Sequence, residues 1–232
     1  NTGSYVATVD KFAFSDDGRT TLGTGLSVAR QGLAGMANSG TAGYFGGGYT
    51  GSRLATVDKF AFSDDGRTTL GTGLSVGCNA LGAMANSGTA GYFGGGYTGS
   101  RLTTVDKFAF SDDGRTTLGT GLSAGRSGLA GMANSGTAGY FGGGYESGNV
   151  TTVDKFAFSD DGRTTLGTGL SQARQNLGAM ADSGTAGYFG GGSTYVTTVD
   201  KFAFSDDGRT TLGTGLVAGT SALAGMANQG TL

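Results

Sequence analysis

Thr-Val-Asp-Lys-Phe-Ala-Phe-Ser-Asp-Asp-Gly-Arg-Thr-Thr-Leu-Gly-Thr-Gly-Leu, residues Thr8 to Leu26, decides the fold, because the chain repeats it five times. The same nineteen residues begin again at Thr56, Thr104, Thr152 and Thr198. The marker residues Asp10, Asp58, Asp106, Asp154 and Asp200 are spaced by 48, 48, 48 and 46 positions. Working outward, these copies and the stretches between them account for almost all of the 232 residues. Glycine is abundant, at 50 residues, and a strict period turns that abundance into ordered turns rather than low complexity.

Each unit divides into four short strand-like pieces. The first is Leu33 to Asn38, closed by the turn Ser39-Gly40. The second is Ala42 to Gly46, running into Gly47-Gly48. The third is Ala55 to Ser63, alternating around Phe60 and Phe62. Asp64-Asp65-Gly66 turns the chain into the fourth, Arg67 to Gly71. We call them A, B, C and D. No segment holds a 3.6-residue period with caps, so no helix is expected. Four strands per unit at this period predict an all-β fold, a five-bladed β-propeller with four-stranded antiparallel blades, formed by residues 1–232 as a single domain. All 14 phenylalanines are expected in the packing between blades.

Gly43-Tyr44-Phe45-Gly46-Gly47-Gly48 followed by Leu54-Ala55-Thr56-Val57-Asp58-Lys59-Phe60 resembles a kelch repeat. Gly125-Arg126-Ser127-Gly128-Leu129 is similar to the entry into the innermost strand of that family. Phe60 stands where the family has Tyr, and Leu70 is the nearest residue to its usual Trp. The resemblance implies a propeller with strand A innermost. It also implies that an arginine at the Arg126-type position reads acidic groups of a peptide. That role would pass to Arg30, Arg126 and Arg174, and not to Cys78 or Thr220.

The strands do not balance. The chain carries five C, five D and five A segments but four B segments, so the last blade lacks one strand. A strand supplied from elsewhere could fill that place, as could residues beyond the sequence read here.

Comparison of the copies marks one face. Ser15-Asp16-Asp17-Gly18 is identical in all five units, and the A–B turn changes only at Asp182 and Gln229. The D–A connections vary, as do the B–C connections Tyr49 to Arg53, Tyr97 to Arg101, Tyr145 to Asn149 and the shortened Ser193-Thr194-Tyr195. In an up-and-down blade these two connections open on the same side, and binding is often placed on loops of a rigid scaffold. Each framework copy is net acidic, whereas Arg30, Arg53, Arg101, Arg126 and Arg174 all fall in the variable loops. The expected ligand-binding face therefore holds these five arginines with Tyr49, Tyr97, Tyr145 and Tyr195, a combination suited to protein or sugar. An acidic face opposite a basic one also suggests head-to-tail stacking of copies.

Composition excludes much chemistry. With no His, there is no Ser-His-Asp triad, and the His ligands of kelch-like copper oxidases are missing. One cysteine, Cys78, makes neither a disulfide nor a thiolate zinc cluster. Asp16-Asp17 and its copies are the nearest approach to a hard-cation site, but Asp and Gly are what a tight hairpin needs, Gly taking positive φ. Gly46-Gly47-Gly48 lacks the Lys and helix of a phosphate loop. A net charge of −2 and a pI near 5.0 argue against nucleic acid. No apolar run approaches the length of a membrane span, and no signal peptide is evident. Asn149-Val150-Thr151 is a lone glycosylation sequon.

The expectation is a non-enzymatic binding or adhesion propeller without a cofactor, holding protein or glycan. Its Gly/Ser/Thr-rich, Pro-free repeats resemble extracellular or virion-surface proteins. The alternatives are a structural protomer, stacked or strand-complemented, whose partner is a copy of itself, and a consensus design. Unequal loops and the 46-residue unit count against the design.

Overall fold

The computed structural model describes residues 4–225. The chain opens with a two-stranded hairpin, β1 (Asp10–Phe12) and β2 (Arg19–Thr21). Four complete blades follow. The first holds β3 (Ala34–Asn38), β4 (Ala42–Gly46), β5 (Val57–Ala61) and β6 (Arg67–Thr69). The second holds β7 (Gly82–Asn86), β8 (Ala90–Gly94), β9 (Val105–Ala109) and β10 (Arg115–Thr117). The third holds β11 (Ala130–Asn134), β12 (Ala138–Gly142), β13 (Val153–Ala157) and β14 (Arg163–Thr165). The fourth holds β15 (Gly178–Asp182), β16 (Ala186–Gly190), β17 (Val199–Ala203) and β18 (Arg209–Thr211). Each blade pairs its strands in chain order and antiparallel, and no helix occurs among the described residues. This is the five-bladed propeller architecture, with its two-stranded blade at the N-terminus. Strands C and D are shorter than their apolar pattern suggests. The last A segment falls largely outside the described residues, and Leu223–Gly225 run beside Gly178 and Ala179 of β15.

The register is the same in every complete blade: Met opposite Tyr between A and B, Tyr opposite Lys and Phe opposite Asp between B and C. The innermost strands of successive blades adjoin one another. Met36, Met84 and Met132 press on Gly91, Gly139 and Gly187 of the next blade, where a Cβ would displace the methionine tip. Phe93, Phe141 and Phe189 likewise cover Gly46, Gly94 and Gly142. Small residues are thus required by the approach of neighbouring blades.

The Asp-Asp-Gly hairpin works differently from the expectation. The first Asp is the turn former: Asp64 Oδ1 accepts from Gly66 N at 2.8 Å. The second Asp, not the glycine, takes the left-handed backbone, with φ of 57° at Asp65, Asp113 and Asp161. Asp tolerates that region because its short polar side chain bonds locally. In this turn the second Asp also reaches the preceding blade. Asp113 accepts from the Tyr44 hydroxyl and from Lys59 Nζ, each at 2.8 Å. Asp161 receives Tyr92 and Lys107, and Asp207 receives Tyr140 and Lys155. The same tyrosines stack on Phe110, Phe158 and Phe204 of the next blade. Burial, then the bond to Asp113, raises the Tyr44 phenol to about 12.

At the same end of the sheet, on its inner strands, the A–B turns are chained together. Gly88 N, Gly136 N and Gly184 N donate to Asn38, Asn86 and Asn134 of the preceding turn at 2.7–2.8 Å. The invariance of both turn types therefore has a structural cause, and the variability of the other loops is not by itself a mark of binding.

Three phenylalanines depart from the expected core. Phe12, Phe14 and Phe62 are exposed, although Phe60, Phe108, Phe156 and Phe202 are buried. Phe12 and Phe62 lie where a B strand would cover them. The hairpin is fastened to the first blade by Lys11 and Asp65 at 2.9 Å. Against the fourth blade no equivalent bond links Tyr188 or Lys201 to Asp17 among the described residues.

Candidate functional face

The D–A and B–C connections do share one face. Gln31, Asn79 and Ser127 of the first form antiparallel bridges with Tyr49, Tyr97 and Tyr145 of the second. Ser193 N donates to Gln175 O in the fourth unit, at 2.7 Å.

The five arginines do not lie together on that face. Arg30, Arg126 and Arg174 turn inward and are at most 2% exposed. Arg126 Nη2 donates to Asp154 Oδ2 at 2.6 Å and to Phe141 O at 3.3 Å, and its Nη1 donates to Thr152 O at 3.0 Å. Arg30 reaches Asp58 and Phe45 O, and Arg174 reaches Asp200 and Phe189 O. Their assignment to a ligand-binding face is corrected here: each is an internal tie from the chain entering a blade to that blade's C strand. The physical reason is the acceptor. Asp58, Asp154 and Asp200 are fully buried, and a buried carboxylate needs a cation or several donors.

Those donors set the ionisation of the site. Burial pushes the Asp58 carboxyl up. Bonds from Ser27 N, the Thr69 hydroxyl and the Ser27 hydroxyl, with the Arg30 charge, outweigh it and hold the pKa below the usual value. Asp200 is lowered in the same way by Ser171, Thr211 and Arg174. For Arg126, burial lowers the pKa and Asp154 opposes the fall. In the second blade Cys78 occupies the arginine position. Asp106 there keeps Ser75 and Thr117 but has no inner guanidinium. A small void opens beside Cys78, lined by Leu74, Leu81, Phe93 and Asp106. Cys78 is buried, and that burial, then Asp106, pushes its thiol up to about 12.

The remaining two arginines form the surface feature. Arg53 lies over the ring of Tyr97 at 4.7 Å, and Arg101 over Tyr145 at 4.4 Å. Each also faces the tyrosine of its own loop, Tyr49 or Tyr97, at 5.9 Å. Tyr49, Arg53, Tyr97, Arg101 and Tyr145 thus alternate across three blades as one ladder. Tyr5 meets Tyr49 edge-on at 6.1 Å and extends it. Beside the ladder lies a shallow concavity of ≈ 310 Å³, lined by Asn79, Ala80, Tyr97, Arg101, Ser127, Tyr145 and Gln175. Asn79, Ser127 and Gln175 follow the Arg30-type position in the chain. Their polarity and their place in the variable loop were the available signals for them.

Tyr195 stands apart. The shortened fourth loop turns it out, 72% exposed with φ of 53°, and it joins no ladder. The face is consequently less basic than the sequence suggests, because three of its five arginines are neutralised internally. The opposite charges expected to stack copies face to face are correspondingly fewer. Asp16 accepts from Gly18 N, and no group of three or more His, Cys, Asp or Glu that could hold a metal occurs among the described residues. The Asn149 amide donates to Ser193 Oγ at 3.0 Å.

No family model matches the chain, and no curated protein does. Among solved structures, 279 chains match. One described as "Structure of YjhT" superposes with a TM-score of 0.75 at 13% identity, over 94% of this chain and 80% of that one. At that identity the likeness shows the fold alone, and a fold shared so widely does not name a function.

Proposed function

We propose that the chain is a kelch-like binding propeller without catalytic chemistry, which holds a protein or glycan on the face where its D–A and B–C loops meet. The observation that carries this reading is the Tyr49–Arg53–Tyr97–Arg101–Tyr145 ladder beside a polar concavity. Rings and guanidiniums held by one another lose little freedom when a ligand arrives, which favours affinity. Two cations over aromatic faces favour an extended ligand bearing carboxylates. Asn79, Ser127 and Gln175 would supply its neutral hydrogen bonds. The Gly/Ser/Thr-rich, Pro-free composition supports an extracellular or virion-surface setting.

Arrays of acidic glycans and acidic peptides test the reading. Binding is expected for the native chain and should fall about tenfold for Arg101→Ala, the loss of one desolvated cation–π and charge contact. Equal binding by Arg101→Ala, or no binding to either array, would overturn it. A second reading, a structural protomer completed by strand addition, is favoured by the exposed edge of β1.

A further inference from the structure

In three of the four complete blades the same set of oxygens closes on an arginine. Around Arg126 it consists of Asp154 Oδ2 at 2.6 Å, the Phe141 carbonyl at 3.3 Å and the Thr152 carbonyl at 3.0 Å. Arg30 meets Asp58 Oδ2 at 3.0 Å and Phe45 O at 3.1 Å. Arg174 meets Asp200 Oδ2 at 2.9 Å and Phe189 O at 3.1 Å. The equivalent positions of the second blade are Asp106, Phe93 and Thr104, but the residue that enters there is Cys78.

All three of these residues line a void of ≈ 10 Å³ beside Cys78. Asp106 is 3% exposed. Its Oδ2 accepts from Ser75 N and the Ser75 hydroxyl, and its Oδ1 from Thr117. Asp154 receives Ser123 and Thr165 in the same way. On the outer side Arg115 stands 3.5 Å from Asp106 Oδ1, matching Arg163 at 3.7 Å from Asp154. The serine, the threonine and the outer cation are thus common to both blades. Only the inner positive charge distinguishes them, and a buried carboxylate is the group that most needs one. Cys78 brings no charge in its place. Its Sγ lies 3.9 Å from Gly95 O, and burial keeps the thiol protonated at neutral pH.

We propose that this seat binds a compact monovalent cation, ammonium or potassium, where the other blades place an arginine nitrogen. One carboxylate with neutral carbonyls calls for a single charge, whereas a divalent ion gathers a fuller set of oxygens. The void has room for one water-sized body, which excludes a free guanidinium and admits either ion. Ammonium donates to the oxygens as a guanidinium does, and potassium takes the same oxygens as ligands. The ion would lie against Asp106 Oδ2 and the carbonyls of Phe93 and Thr104. Gly95 and Leu102 line the same void and flank the Tyr97–Arg101 loop, so the ion touches the chain on both sides of that loop. The proposal does not depend on what the Tyr/Arg ladder binds.

Thermal midpoints of the full chain in ammonium, potassium and tetramethylammonium chloride, at one ionic strength, test it. Tetramethylammonium is too large for the seat. Ammonium and potassium should each raise the midpoint above the tetramethylammonium value, by about 3–6 °C at roughly ten times the dissociation constant. In Cys78→Arg, where the guanidinium takes the seat, the three salts should give one midpoint. A second measurement needs no variant: nitrogen-15 ammonium should show a resonance in slow exchange with solvent on the native chain, and potassium should displace it. The ion that prevails at equal concentration is the preferred occupant. Equal midpoints in the three salts, or no protected ammonium, would overturn the proposal and leave the seat to a water. So would a difference between salts that persists in folded Cys78→Arg, which would place the cation elsewhere.

Discussion

Arg126 and Arg101 sit in loops of the same face and differ in everything that matters to function. Arg126 follows the D–A connection inward and ends on Asp154, with two backbone carbonyls of the same blade also accepting from its Nη atoms and its buried Nε left without a partner. Arg101 leaves the B–C connection sideways and rests on the ring of Tyr145 in the next blade. The first holds a blade to its own entry segment. The second links neighbouring loops while keeping its charge at the surface. What separates them is the waiting partner: a buried carboxylate captures any cation within reach, whereas a half-buried ring only orients one.

Truncating each side of this comparison sharpens it, beginning with the largest effect. Arg126→Ala leaves Asp154 buried without its inner cation and should cost about 3–5 kcal/mol in urea unfolding. A cost under about 1 kcal/mol would mean that Ser123 and Thr165 satisfy Asp154 unaided. Cys78→Arg runs the experiment in reverse. The void beside Leu81 is only ≈ 10 Å³, so the surrounding side chains must shift for the arginine to reach Asp106, and that bond between charged groups should add about 1.5–3 kcal/mol before the cost of the shift. No gain in thermal midpoint would contradict the view that Asp106 lacks a partner.

Both the ties within blades and the junctions between them answer to pH. Asp58 and Asp200 have folded pKa values below the unfolded one. Their stabilisation is therefore full above about pH 4 and lost as pH falls further. The Tyr44 phenol is raised to about 12, so its contribution is full below about pH 10 and lost as pH rises toward 12. Tyr44→Phe should cost about 1 kcal/mol, because Asp113 keeps Lys59, and it should flatten the alkaline loss. An alkaline limb unchanged in that variant would place the titration elsewhere. The smallest effect is expected on the exposed side: Arg101→Ala should change stability by less than about 0.5 kcal/mol while weakening ligand binding about tenfold.

The architecture was legible because a period of 48 with four strand-like pieces admits few solutions, and the paired strands follow the expected pieces closely. The site was legible only in part. Sequence placed Arg30, Arg53, Arg101, Arg126 and Arg174 in loops of one face, and loop membership holds for all five. It did not show which way each side chain turns. That depended on Asp58, Asp154 and Asp200 being on the inward side of strands whose Asp looks, in sequence, like ordinary solvated charge. The second aspartate of Asp-Asp-Gly was hidden for a similar reason. As part of a turn it explains itself locally, and its bond to the preceding blade appears only when successive blades are set side by side. Phe12, Phe14 and Phe62 were expected inside because their copies are. Phe12 and Phe62 lack a covering B strand among the described residues, whereas Phe14 makes no ring contact with Tyr188 although β16 is present.

The account rests on the division of the arginines, and native-state modification by phenylglyoxal with peptide mapping tests all five at once. The division predicts that Arg101 reacts first and Arg53 after it, while Arg30, Arg126 and Arg174 stay protected until the chain unfolds. Modification of Arg126 or Arg174 at the rate of Arg101 in the folded protein would contradict it, and would return those side chains to the surface.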